Sequence, residues 1–174
     1  MTRSRNLRIT ALGVALLSLT AAHASSDPLP SMNADAVTVS GVSAGGAMAQ
    51  QMHLVYADRI RGAGIIAGVP FGCAEGQLAL ALGRCMGKEP GEIPIDGYVQ
   101  ALRDAAGRGA AADPALLEDH RAWLFHGTLD EAVGASATDA TVALYEALLD
   151  PDRVRYVNDF AAAHHFPTLA AGAP

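Results

Sequence analysis

Along the chain the spacing of apolar and polar positions changes period several times. Ala36–Ser40 alternates valine with threonine and serine, the period-two pattern of a short strand. Ala44–Tyr56 follows, with Met48, Gln51/Met52 and Val55 at helical spacing. Gly62–Val69, "GAGIIAGV", is a short apolar run with β-branched residues and predicts a buried strand. Pro70–Pro94 is rich in glycine and proline and predicts a long excursion. Asp96–Ala106 predicts a helix with Asp96 as N-cap, broken by Gly107–Pro114. Ala122–Phe125 predicts a third strand, ending at His126-Gly127. Ser136–Leu149 predicts a helix with Ser136 as cap and Ala137, Ala140, Leu144 and Leu148 on one stripe. Val154–Val157 predicts a fourth strand. Strands alternating with helices imply an α/β fold, a parallel sheet with helices on its faces.

The region before the first strand changes the picture of where the protein works. Arg3, Arg5 and Arg8 precede a mostly apolar run, Ile9–Ala22, and Ala22-His23-Ala24 has the small-residue spacing of a cleavage site. Residues 1–24 read as a secretory signal peptide, with an uncleaved anchor as the alternative, and residues 25–174 as one catalytic domain. No later segment has the roughly 18 consecutive apolar residues of a membrane span. Removing the signal takes three of the 12 Lys+Arg and none of the 18 Asp+Glu, so the net charge moves from −6 to −9. An acidic surface repels a phosphate backbone, and nucleic acid is excluded as a partner. The two cysteines, Cys73 and Cys85, suit a disulfide in an exported chain. The alternative is two buried thiols, and two thiols alone lack the paired spacing of a zinc site.

Candidate chemistry centres on "VTVSGVSAGGAMAQQM", Val37–Met52, where Gly41-Val42-Ser43-Ala44-Gly45 is a Gly-x-Ser-x-Gly sequence between a strand and a helix. Such an elbow lifts the serine hydroxyl off the end of the sheet and points the next N–H, that of Ala44, at a developing oxyanion. The alternative is a small-residue strand–helix turn without chemistry. A serine nucleophile needs a base, and the base needs an orienting acid. "FHGTLDEAV", Phe125–Val133, puts Asp130 in the loop beyond a strand's carboxyl end, with Glu131 its nearest competitor and a turn-forming role the alternative. His126 reads as scaffold of that loop. "AAAHHFPT", Ala161–Thr168, offers His164 or His165 as base, and spacing does not choose between them. His53 and His120 lie within or beside helices and read as surface residues.

Three segments together, the elbow text running to "FGCAEG", then "HGTLDEAVG", then "AHHFPT", resemble the catalytic domain of extracellular poly(3-hydroxybutyrate) depolymerases of the circularly permuted, single-domain type. The resemblance covers nearly all of Leu29–Thr168. It implies an α/β-hydrolase fold in which permutation brings the elbow near the mature N-terminus, as Ser43 is here. It implies Ser43 as nucleophile, Asp130 as acid, His164 rather than His165 as base, and a Cys73–Cys85 disulfide. The family continues well beyond the Phe-Pro-Thr text, whereas Pro174 lies six residues after Thr168. The resemblance therefore implies a permuted and incomplete domain, a fragment or a shortened relative, whose second oxyanion donor lies outside this text.

The function these observations imply is a secreted serine esterase that hydrolyses poly(3-hydroxybutyrate) or its oligomers through an acyl-enzyme. Its partner would be a polyester or ester substrate, and the chemistry calls for no metal and no organic cofactor. Two alternatives remain: a general short-chain or feruloyl-type carboxylesterase, since the elbow does not read the acyl group, and an inactive shortened homologue acting only in binding.

Overall fold

A computed structural model describes residues 37–89 and 91–168. The proposed signal peptide lies outside the described residues, as does the polar stretch that follows it. Four strands, β1 (Val37–Val42), β2 (Ile60–Ile66), β3 (Arg121–Phe125) and β4 (Val154–Val157), form one sheet in the order β1-β2-β3-β4, every neighbouring pair parallel. The main helices are α1 (Ala44–Val55), α2 (Ile95–Gly107) and α3 (Ala135–Glu146). The sequence pattern thus predicted the alternation correctly, with boundaries displaced by a few residues. β2 starts before Gly62 and stops at Ile66, because Ala67 turns the chain with φ 48°. Asp96 and Ser136 fall inside the first turns of α2 and α3, whose N-cap positions are Pro94 and Gly134, so neither caps its helix.

Each connection moves to the adjacent strand in the same direction. Right-handed crossovers then put the three main helices on one face of the sheet. The main core shows this: Ala49 and Leu54 of α1, Tyr98 and Leu102 of α2, and Leu144 and Tyr145 of α3 share one cluster with Ala63, Ile65, Ala122 and Leu124 of the central strands. Among the described residues no helix covers the opposite face, which presents Thr38, Ser40, Gly62, Gly64, Arg121, Trp123 and Arg155 around a shallow groove.

α1 packs on the sheet through Gly46, Ala49, Gln50, His53 and Leu54, whereas Met48 and Met52 point outward. The methionine stripe marks the helix but not its core face, because the small residues are what allow close approach. A Cβ on Gly46 would lie 3.0 Å from the carbonyl oxygens of both Gly41 and Ile66.

His53 and His120 overturn their expected surface placement. Both are buried, and they form a chain: Arg61 Nη1 to His120 Nε2 at 3.2 Å, His120 Nδ1 to His53 Nε2 at 3.1 Å, and His53 Nδ1 to the Tyr145 hydroxyl at 3.1 Å. The guanidinium can only donate, which makes His120 Nε2 an acceptor and sets the direction of every later bond toward Tyr145. Burial is the main force holding both imidazoles to the neutral form. His53 is lowered to about 4 by burial and then by His120, and His120 is lowered by burial and then by Arg61.

The excursion after β2 is closed by the disulfide Cys73–Cys85, with Cα atoms 5.8 Å apart. Inside it are two turns the sequence pattern did not predict, a helical turn at Leu78–Leu80 and a π-helical turn at Ala81–Cys85.

Candidate active site

The carboxyl ends of β1, β3 and β4 carry the three segments singled out in the sequence. At the end of β1, Ser43 adopts φ 58° and ψ −125°, a region that non-glycine residues rarely occupy and that costs about 1–3 kcal/mol. Its N–H donates to the Ile66 carbonyl at 2.8 Å, pinning the turn to the adjacent strand. Ser43 occupies the N-cap position of α1, yet its hydroxyl caps nothing. A serine there ordinarily satisfies a helix N–H. Here, among the described residues, the hydroxyl makes no hydrogen bond, and the N–H of Ala44, the first helical residue, has no partner within the helix. A Cβ on Gly41 would fall inside the carbonyl group of Gly45, so the turn closes only with glycine at position 41. Gly45 itself has open space around it; Gly46 is the second crowded glycine, and the Gly45-Gly46 pair was its only sequence signal.

After β3, the side chain of Asp130 is almost fully buried and uses its two carboxylate oxygens differently. Oδ1 accepts from the N–H groups of Ala132 and Val133, both at 2.9 Å, and so shapes the loop. Oδ2 lies 2.8 Å from His164 Nδ1. The turn-forming role and the pairing role are therefore filled by one side chain. Burial pushes the Asp130 carboxyl upward, but hydrogen bonds from Val133, His164 and Ala132 outweigh it and hold the group below its ordinary value. Glu131 points to solvent. His126 is buried and donates from Nε2 to the Val133 carbonyl at 3.0 Å, closing the same loop from inside, as its expected scaffold role requires.

His164 follows β4 in a segment that returns to the Asp130 loop. The Leu129 N–H donates to the Ala162 carbonyl at 3.1 Å and the Thr128 N–H to Phe160 at 3.0 Å. A Cβ on Gly127 would overlap the Ala162 carbonyl, so this approach also needs glycine. His165 instead turns Nδ1 to the Phe166 carbonyl at 2.9 Å, and the partner of Asp130 is His164. Among the described residues no hydrogen bond joins the Ser43 hydroxyl to His164; such contacts are often open without substrate. The structure thus brings Asp130 and His164 together and sets Ser43 at the same end of the sheet.

Beside Ser43 lies a mostly apolar cavity of about 650 Å³, walled by Ala44, Met48, Ala67, Leu82, Met86 and Val133. Its size is that of a small-ligand site. One wall comes from the disulfide-closed excursion and another from the Asp130 loop. Neither could be assigned to the cavity from local sequence signals. Among the described residues there is no group of histidine, cysteine and carboxylate side chains arranged to hold a metal ion. Nor, among them, is any helix long and apolar enough to cross a membrane.

No protein-family model matches the chain. It is 38% identical over 167 residues to a poly(3-hydroxybutyrate) depolymerase of Delftia acidovorans, an alignment covering 93% of this chain and 33% of that protein. It is 31% identical over 166 residues to a polyhydroxybutyrate depolymerase of Talaromyces funiculosus, covering 91% and 46%. A solved PHB depolymerase with a serine-to-alanine substitution, complexed with an R3HB trimer, superposes with a TM-score of 0.70 at 30% identity, over 81% of this chain and 43% of that one. The PHB depolymerase of Penicillium funiculosum superposes with a TM-score of 0.70 at 28% identity, over 81% and 44%. The expected resemblance and the α/β fold are both borne out. The chain spans between about a third and a half of the length of these relatives.

Proposed function

We propose that this chain carries the nucleophile, base and acid of a secreted serine esterase acting on poly(3-hydroxybutyrate) or its oligomers. The observation that carries the reading is a strained elbow serine, its hydroxyl not spent on capping the helix, at the same end of a parallel sheet as a part-buried carboxylate–imidazole pair. In this reading Ser43 Oγ attacks the ester carbonyl while His164 Nε2 takes its proton. Asp130 Oδ2 accepts the Nδ1–H of His164, which fixes the tautomer that leaves Nε2 free to accept. The Ala44 N–H binds the oxyanion. Collapse of the tetrahedral intermediate expels the alcohol end of the chain, which receives the proton from His164. Water, activated by the same imidazole, then attacks the acyl-Ser43 ester and releases a 3-hydroxyacid.

The apolar cavity suits a short aliphatic acyl group. Similarity to depolymerases, one of them complexed with an R3HB trimer, supports the choice of polyester over other esters. Export after removal of residues 1–24 belongs to the same proposal, with residues 25–174 as catalytic domain and the Cys73–Cys85 disulfide in keeping with an oxidising compartment.

The test is hydrolysis of 3-hydroxybutyrate oligomers and of p-nitrophenyl butyrate by the chain and by Ser43→Ala. Release of 3-hydroxybutyrate that vanishes in the variant is the expected result. Oligomer hydrolysis that persists in Ser43→Ala would overturn the assignment. Turnover of the p-nitrophenyl ester alone would transfer the reading to a general short-chain esterase. Mass spectrometry of protein from the culture medium should give a chain beginning at Ser25.

A further inference from the structure

The loop that carries Asp130 is held from outside as well as from within. The residues immediately after Cys85 run beside it. The Gly134 N–H donates to the Met86 carbonyl at 2.7 Å, and Lys88 Nζ donates to the Glu131 carbonyl. Between these two bonds the backbones of Gly87 and Gly134 touch. A Cβ on Gly134 would lie 2.7 Å from the Gly87 carbonyl oxygen, and one on Gly87 would lie 3.2 Å from the Gly134 Cα. Gly87 has φ 66°, the left-handed turn that ends the π-helical turn at Cys85. The disulfide anchors Cys85, and the Gly87 and Lys88 N–H groups donate to the Arg84 and Gly83 carbonyls, each at 3.0 Å.

We propose that Gly87 and Lys88 are positioning residues for Asp130: the turn after Cys85 is a clamp that fixes the direction in which Asp130 Oδ2 meets His164. This inference rests on the triad reading above. Oδ1 of Asp130 is bound to Ala132 and Val133, so the orientation of the carboxylate follows the loop backbone and not the side chain alone. A loop that shifts by a fraction of an ångström carries Oδ2 with it. Neither Gly87 nor Lys88 lines the cavity beside Ser43, whereas Met86 does. A Lys88 substitution therefore separates orientation of the acid from shape of the acyl site.

The experiment uses the full chain with Lys88→Met, Lys88→Arg, Gly134→Ala and Asp130→Asn, beside Ser43→Ala. Hydrolysis of p-nitrophenyl butyrate gives kcat and KM, and proton NMR follows the downfield Nδ1–H resonance of His164. Expected are a kcat lowered about tenfold in Lys88→Met with KM unchanged, recovery in Lys88→Arg, and a larger fall in Gly134→Ala. The resonance, absent from Asp130→Asn, should weaken or broaden in Lys88→Met. If Ser43→Ala abolishes turnover while Lys88→Met keeps both its kcat and an unaltered resonance, the clamp is overturned and the triad stands. If no variant alters turnover, the triad reading fails, and the resonance alone decides the clamp: unchanged in both Lys88→Met and Gly134→Ala, it overturns it. Should Gly134→Ala fail to fold, Lys88→Met carries the test.

Discussion

Gly41 and Gly45 are the two glycines of one motif, and the backbone treats them in opposite ways. A methyl group at 41 would enter the Gly45 carbonyl, so Gly41→Ala must displace the start of α1; urea denaturation should show a loss of about 1–3 kcal/mol, together with lost hydrolysis. At 45 the space is open and the residue sits in the first turn of the helix, so Gly45→Ala should fold at least as stably, with a gain of up to about 1 kcal/mol. Equal losses at both positions would contradict the geometry. Asp130→Asn retains an oxygen for the Ala132 and Val133 N–H groups but removes the charge facing His164. The fold should survive while kcat falls by about 10⁴ in the esterase assay. The motif was legible in the sequence because its geometry is local, five residues between a strand and a helix. Spacing did not choose His164 over His165, since both rings sit in one loop and a carboxylate 34 residues away distinguishes them; the resemblance alone favoured His164.

α1 links the two ends of the sheet: Ser43 stands at its start, His53 near its close. The sequence revealed the helix but not its buried face, because methionine weighs more in an apolar pattern than glycine or alanine, and here the small residues make the contact. The burial of His53 was equally hidden, as its partners His120 and Tyr145 lie 67 and 92 residues away. Its consequence is a pH dependence of stability. His53 is lowered to about 4 in the folded chain and has about 6.5 when unfolded, so between these values the unfolded chain binds the extra proton. Stability is complete above about pH 6.5 and falls as pH drops toward 4, by about 3 kcal/mol for this group, and the lowered His120 acts in the same direction. Proton binding to either ring would also turn a hydrogen-bond acceptor in the chain from Arg61 to Tyr145 into a donor facing a donor. Urea midpoints measured from pH 7 to pH 4 should fall steeply in the natural chain and less steeply in His53→Gln. A parallel slope in both would remove the imidazole as the cause. The disulfide works on a different element: Cys85→Ser should cost about 3 kcal/mol on the chain-entropy account, and it should also raise KM, because Ala74, Leu82 and Met86 of the cavity wall lie beside the staple.

For the molecule as a whole, the alternation of strands and helices was legible, but the strand order was not, since periodicity says nothing about which strand lies beside which. The observed order leaves one sheet face without a helix among the described residues, and the protein's single tryptophan, Trp123, stands on that face at 37% exposure. Its fluorescence should therefore be open to acrylamide quenching, and it reports directly on anything that covers the groove, such as a second copy of the chain. A strongly shielded Trp123 at low protein concentration would show that the face is occupied. The same succession, each strand pairing with the one made just before it, also sets an order in time. A chain emerging residue by residue from a ribosome can add each of these strands to an edge that already exists, and among the described residues no strand waits for a distant partner. Ser43 is then laid down with the first strand pair, Asp130 with the third strand and His164 only after the fourth. On the proposed assignment, the hydroxyl remains inert until then, and of the three residues its proton acceptor arrives last.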